Sequence, residues 1–184
     1  MNNKSVRRFF YKYSGLKGFT LIELLVVIGI LGILAAVLLA MINPIAQLQK
    51  SNDARRKGDL ESVQRALEMY YQDKGTYPLS NNSNHEIKVG ATTYAWGQPW
   101  TVNGQNYMAK LPVDPVQTQN YVYYSAGGQS YYLYTSLQRG IYDPQICFPT
   151  TGAACSSART NGVATACGGG ATCNYGVSSP NVTP

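Results

Sequence analysis

Apolar residues are distributed very unevenly along this chain. From Leu24 to Ile42 nineteen consecutive residues carry no charge, close to the ~20 that a helix needs to cross a bilayer. Beyond Pro44 the pattern turns amphipathic. Leu60, Val63, Leu67, Tyr70 and Tyr71 recur at three- and four-residue spacing and predict one apolar face on a helix that Gly75 and Pro78 end. Residues 81–119 read as loop, rich in Asn, Gly, Thr and Pro, with Trp96 and Trp100 expected at the edge of a small core. NYVYYS and QSYYLYTSL, joined by AGG, are aromatic and β-branched runs bounded by glycine, the pattern of an antiparallel hairpin. With one or two more strands they form a small sheet for the face of Leu60, Val63, Leu67 and Tyr70.

Charge changes this picture in two places. The formal net charge of +6 suggests nucleic acid, but Lys4, Arg7, Arg8, Lys12 and Lys17 all precede the apolar run. The rest of the chain holds 10 basic against 9 acidic residues, so no direct nucleic-acid site is expected. A basic leader before an apolar span marks the cytoplasmic side. The reading is a single-pass anchor in the cytoplasmic membrane with everything after it exported. No small-x-small cleavage signal follows the span, which argues against an ordinary signal peptide.

The second place is Glu23. A lone carboxylate at the edge of such a run costs roughly 2.5–3.5 kcal/mol on insertion scales and is a functional-site hypothesis by default. Lys17-Gly18-Phe19-Thr20-Leu21-Ile22-Glu23 followed by the apolar span resembles the class III signal of type IV pilins and type II secretion pseudopilins. The resemblance implies that a membrane aspartyl peptidase, the prepilin peptidase, cuts between Gly18 and Phe19 and methylates the new amine of Phe19. It implies four segments: a removed leader (1–18), a membrane and filament-core helix (19–43), an amphipathic helix (44–75), and an exported loop and sheet region (76–184) with a Cys-rich tail from 147. The fold expected is α+β and pilin-like, a long N-terminal helix packed on a small antiparallel sheet. From Phe19 to Lys74 its two halves would span about 80 Å at 1.5 Å per residue.

Cutting before the span keeps the anchor and frees an amine about one turn from Glu23. The amine and the carboxylate relieve each other's desolvation when they pair between neighbouring copies. Partners expected are other copies in a helical filament, the assembly machinery of the inner membrane, and lipid before assembly. Gly29, Gly32 and Pro44 fit either close helix packing or a tolerated kink; the family resemblance adds local helix melting between them. The function expected is a structural subunit of an extracellular pilus-like filament, with a pseudopilin of a secretion or DNA-uptake system as the alternative. A more distant alternative is an anchored surface-binding module using the fifteen Tyr and two Trp residues.

Arg55, Arg56 and Lys57 read as a solvated helix face, with Asp53–Lys57 and Glu61–Arg65 as surface pairs four apart. Asp114 and Asp143 precede prolines and read as turn residues, with too few carboxylates nearby for calcium. No catalytic constellation, metal site or cofactor is expected. Cys147, Cys155, Cys167 and Cys173 lie among Gly, Ala, Ser and Thr without zinc-site spacing, so they read as two disulfides. Three connectivities are possible; sequential pairing closes the shortest loops.

Overall fold

A computed structural model describes residues 18–41 and 43–184, so most of the basic leader and Ile42 lie outside the described residues. The chain divides into two units, 1–43 and 44–184, taken here one at a time. The first contains α1, Leu21–Met41. It runs unbroken through Gly29 and Gly32, and a methyl group at either would meet nothing within 4 Å.

In the second unit α2 spans Pro44–Lys74. Proline suits the first turn because its missing N–H has no partner there in any case. Gly75, at φ +71°, ends the helix in the left-handed conformation that favours glycine. Gly58 does not interrupt it: α2 continues, and Ser62 Oγ donates to the Gly58 carbonyl at 2.8 Å.

Among the described residues, eight strands form three antiparallel sheets. The first joins β1 (Leu79–Ser80), β2 (Ile87–Val89) and β3 (Thr92–Tyr94), and the second pairs β4 (Trp100–Val102) with β5 (Gln105–Met108). The third has β7 (Tyr132–Thr135) between β6 (Val122–Tyr124) and β8 (Tyr175–Ser178). The expected hairpin is thus β6–β7, with Tyr123 opposite Leu133, and β8 returns from the tail to place Val177 opposite Leu133 on the far edge. The region 81–119, expected as loop, instead holds β2 to β5 in two hairpins. Asn103 and Gly104 both take positive φ (51° and 82°) between β4 and β5, the conformation of a tight hairpin turn.

The period of two along β6 and β7 divides the core. Tyr121, Tyr123, Tyr131 and Leu133 face one way and pack with Leu60, Val63, Leu67 and Tyr70 of α2. Val122 and Tyr134 face the other way, where Cys155, Ala158, Val163, Cys167 and Cys173 of the tail cover them. A strand pair buried on both faces needs two covers, and the Cys-rich tail, with its short helix α3 (Ser156–Thr160), is the second. Trp100 is not at the edge of the core. It is fully buried, stacked on Tyr70 at 5.5 Å and beside Tyr107 at 5.3 Å. Trp96 is half-buried and meets Tyr121 edge-on, while Tyr71 is exposed and stacks on Tyr77 at 4.5 Å.

Candidate functional site

Thr20 lies immediately before α1, and Glu23 is in its first turn. Their side chains close a reciprocal cap. Glu23 N–H donates to Thr20 Oγ1 at 3.2 Å, while the Thr20 N–H and hydroxyl both donate to Glu23 Oε2 at 2.8 Å. This is the capping-box arrangement, which satisfies helix-end donors with a side chain three residues on. Both of these bonds fall on the same carboxylate oxygen. Phe19, Ile22, Glu23, Val26 and Val27 line one shallow groove of about 330 Å³, so the two residues expected to act in assembly share a surface.

That surface is apolar and uncovered. Fifteen large apolar side chains of α1 are exposed, and the most sheltered, Val27, still shows 49% of its surface. Leu21–Leu39 is long and apolar enough to cross a membrane. An isolated helix of this composition is incomplete in water, because burying one Val, Leu or Ile gains about 1.5–3 kcal/mol. Chemically, then, α1 offers a lipid- or helix-binding stripe with one anionic group at its N-terminal end.

The second unit uses its charges differently. Arg56, expected on a solvated face, is fully buried. Its Nε and Nη2 donate to the two oxygens of Asp114 at 2.8 and 2.7 Å, and its Nη1 donates to Asp53 at 2.9 Å. Asp53 also accepts the backbone N–H groups of Gln138 and Arg139. Burial opposes the charge of Arg56, but the bonds to Asp114 and Asp53 outweigh it, and its pKa moves upward. Asp53 therefore bonds Arg56 rather than Lys57. Lys57 reaches Asp143 at 2.7 Å and lies over the Tyr175 ring, and Arg65 donates to Ser62.

Asp114 and Asp143 do form turns, accepting the N–H of Val116 and of Gln145. They also bind the two basic side chains, a role their Asp-Pro context alone did not reveal. The signal for Arg56 was its position. It lies four before Leu60, on the same stripe as Val63, Leu67 and Tyr70.

Tyrosine hydroxyls bind three of the remaining acids of α2. Tyr121 donates to Asp59 at 2.7 Å, Tyr131 and Tyr77 to Glu68, and Tyr107 to Asp73. Burial is the main reason that Tyr107 rises to about 12, and the Asp73 carboxylate adds to it. Four of the fifteen tyrosines thus bind α2 instead of facing outward.

The cysteines pair in sequence order, Cys147 with Cys155 and Cys167 with Cys173. Among the described residues no group of three or more His, Cys, Asp or Glu side chains is gathered to hold a metal ion.

Comparison with known proteins agrees with this division. Residues 15–39 match the family model for the prokaryotic N-terminal methylation motif, and residues 43–140 match that for type II secretion system (T2SS) protein G. Among curated relatives, type II secretion system core protein G of Pseudomonas aeruginosa is 36% identical over 53% of this chain and 66% of its own length. The Escherichia coli K12 protein of the same name is 29% identical over 69% of this chain and 77% of its own. The Vibrio cholerae one is 31% identical over 60% and 71%. The matches thus span roughly two thirds or a little more of these relatives, and no solved structure matches. A methylation motif on an uncovered apolar helix and a protein G match over half of the sequence together place the chain in the type IV pilin and type II secretion pseudopilin family, with the protein G group.

Proposed function

We propose that this chain is a pseudopilin, a structural subunit of a filament that works within a type II secretion system. The observation that carries it is the protein G match over residues 43–140; the relatives of that name make the secretion reading stronger than the extracellular pilus first expected. On this reading prepilin peptidase cuts between Gly18 and Phe19, the new amine is methylated, and residues 19–184 are the mature subunit. The subunit is anchored by α1 in the cytoplasmic membrane with its second unit exported, and it leaves the lipid on joining the filament.

Assembly follows from the geometry of Glu23. Its Oε2 is engaged by Thr20, and the carboxylate is left to draw the Phe19 amine of a neighbouring copy. The pair forms in a medium of low dielectric, where each ion needs the other. Gly29 and Gly32, with open space around them, let helices of other copies approach closely. Local melting of the helix between these glycines and Pro44 belongs to this proposal.

The pilus reading rests on the disulfide-stapled tail, which lies beyond the matched region. A deletion strain separates the two. Loss of the chain is expected to trap exported proteins in the periplasm, restored by complementation, with no long fibres of this chain in sheared surface fractions. Normal secretion together with abundant sheared fibres would establish the pilus instead. N-terminal sequencing is expected to start at methylated Phe19; any other start overturns the processing scheme.

A further inference from the structure

A cleft of about 420 Å³ opens between the β1–β2 loop, Trp96, Asn120 and Ala166 of the tail. We propose that this cleft binds a neutral saccharide. Its walls supply a hydroxyl (Ser83), two amides (Asn84, Asn120), an imidazole (His85), one carboxylate (Glu86) and an indole (Trp96). No Lys or Arg is among them, so the cleft has no cation to attract a phosphate or another anion. A single carboxylate is too little for a metal. What remains is a mixed set of donors and acceptors beside an aromatic ring, which matches sugar hydroxyls that both donate and accept, and sugar C–H faces that pack on indole. The volume lies within the range of small-ligand sites, roughly 300–1,000 Å³.

Two observations show that the cleft is more than a surface irregularity. Five buried side-chain N or O atoms lack a hydrogen-bond partner among the described residues, and two of them, His85 Nδ1 and Trp96 Nε1, belong to side chains that line this one cleft. Such atoms call for a partner, and a bound hydroxyl is a suitable one. Burial lowers the His85 pKa, which favours the neutral ring.

The wall is also fixed in advance. His85 adopts φ +54°, unusual for a residue with a side chain. Its N–H donates to Asn81 O at 2.8 Å, and its carbonyl accepts from Tyr123 N–H at 2.8 Å. Asn120 N–H donates to the carbonyl of disulfide-bonded Cys167. At Gly168 (φ +80°) a methyl group would come within 2.7 Å of Thr118 O, so glycine permits this contact between tail and loop. Strain held by such bonds is a recurring property of binding sites.

His85 is the only histidine in the chain, so its imidazole proton resonance reports on the cleft. The test uses the full chain in lipid nanodiscs, free of sugar-headed detergent, titrated with neutral di- to tetrasaccharides of glucose, galactose, mannose and N-acetylglucosamine. At least one is expected to shift the His85 signal saturably. Trp96→Ala and Asn120→Ala are each expected to weaken it about tenfold, the loss of one stacking or hydrogen-bonding contact. Lys110→Ala is expected to change nothing. Should Trp96→Ala fail to fold, Glu86→Gln replaces it with the same expectation. No response to any of these sugars, or binding that survives the cleft substitutions, overturns the proposal.

Discussion

The two units treat apolar surface and stray charge in opposite ways. The second encloses Leu60, Val63, Leu67 and Tyr70 between helix and sheets, and it provides the buried Arg56 with two carboxylates of its own. The first encloses nothing: fifteen large apolar side chains of α1 are exposed, on the order of 20 kcal/mol of transfer free energy still to be gained. The one charge of α1, Glu23, has hydroxyl and amide donors from Thr20. A region that completes its own polar bonding is a folded object, whereas a helix that leaves its apolar stripe uncovered has surface still to bury. On the proposed function, the difference puts assembly in α1 and stability in the second unit.

The sharpest break of that comparison is at Glu23. Glu23→Val is expected to abolish incorporation into filaments while the unfolding midpoint of the second unit stays put, measured by recovery of cross-linked multimers and by urea denaturation. Glu23→Gln then separates charge from capping. Glutamine preserves a capping box but cannot attract an amine, so it is expected to fail like Val. Normal assembly of the Gln variant would show that the cap, and not ion pairing, is what Glu23 supplies.

Arg56 is expected to show the converse. Arg56→Met leaves Asp53 and Asp114 buried without their cation, costing about 3–5 kcal/mol of stability, with membrane insertion unchanged. Arg56→Lys keeps the charge but not the two-pronged bond to Asp114, and should fall between the two. A denaturation midpoint unaffected by Arg56→Met would mean that water reaches the pair.

Next in size is the tail. Replacing Cys167 and Cys173 together by Ser opens a short loop and is expected to cost about 2–3 kcal/mol on chain-entropy arguments. It should expose the tail to limited proteolysis, because those cysteines cover Val122 and Tyr134. A protease-resistant double variant would show that packing alone retains the tail.

How much of this was legible depended on whether each signal was local. The Gly18–Glu23 motif, the stripe of α2 and the hairpin at β6–β7 repeat a periodicity or a contiguous pattern, and they could be read directly. The pairing of four cysteines depends on how the tail folds back, so sequence left three choices. The strands of 81–119 are three or four residues long, too short for a period of two to show. The Asn103-Gly104 turn was the available cue. Arg56 was misread because residue type overrode position. Asp53, Arg56, Leu60, Val63, Leu67 and Tyr70 are all buried along α2, but a charge on an apolar stripe looks solvated until its partner is known. Asp114 is 58 residues away.

The smallest expected effect belongs to Lys57 and Asp143, an ion pair that retains some contact with water (side chains 19% and 8% exposed). Burial alone would raise the Asp143 pKa, but the bonds from Lys57 and from Gln145 N–H hold it below the ordinary aspartate value of 3.8. A carboxylate whose folded pKa is depressed contributes stability above its unfolded pKa and loses it as pH falls through the folded one. Asp143→Asn is therefore expected to cost up to about 1 kcal/mol near neutral pH. The deficit should persist down to about pH 4 and close below it, measured as the gap between two urea-midpoint curves. No gap at any pH would assign the role of Asp143 to its turn, where asparagine also serves. A gap that closes in acid would assign it to the charge, making Lys57–Asp143 a weaker, less deeply buried counterpart of Arg56–Asp114.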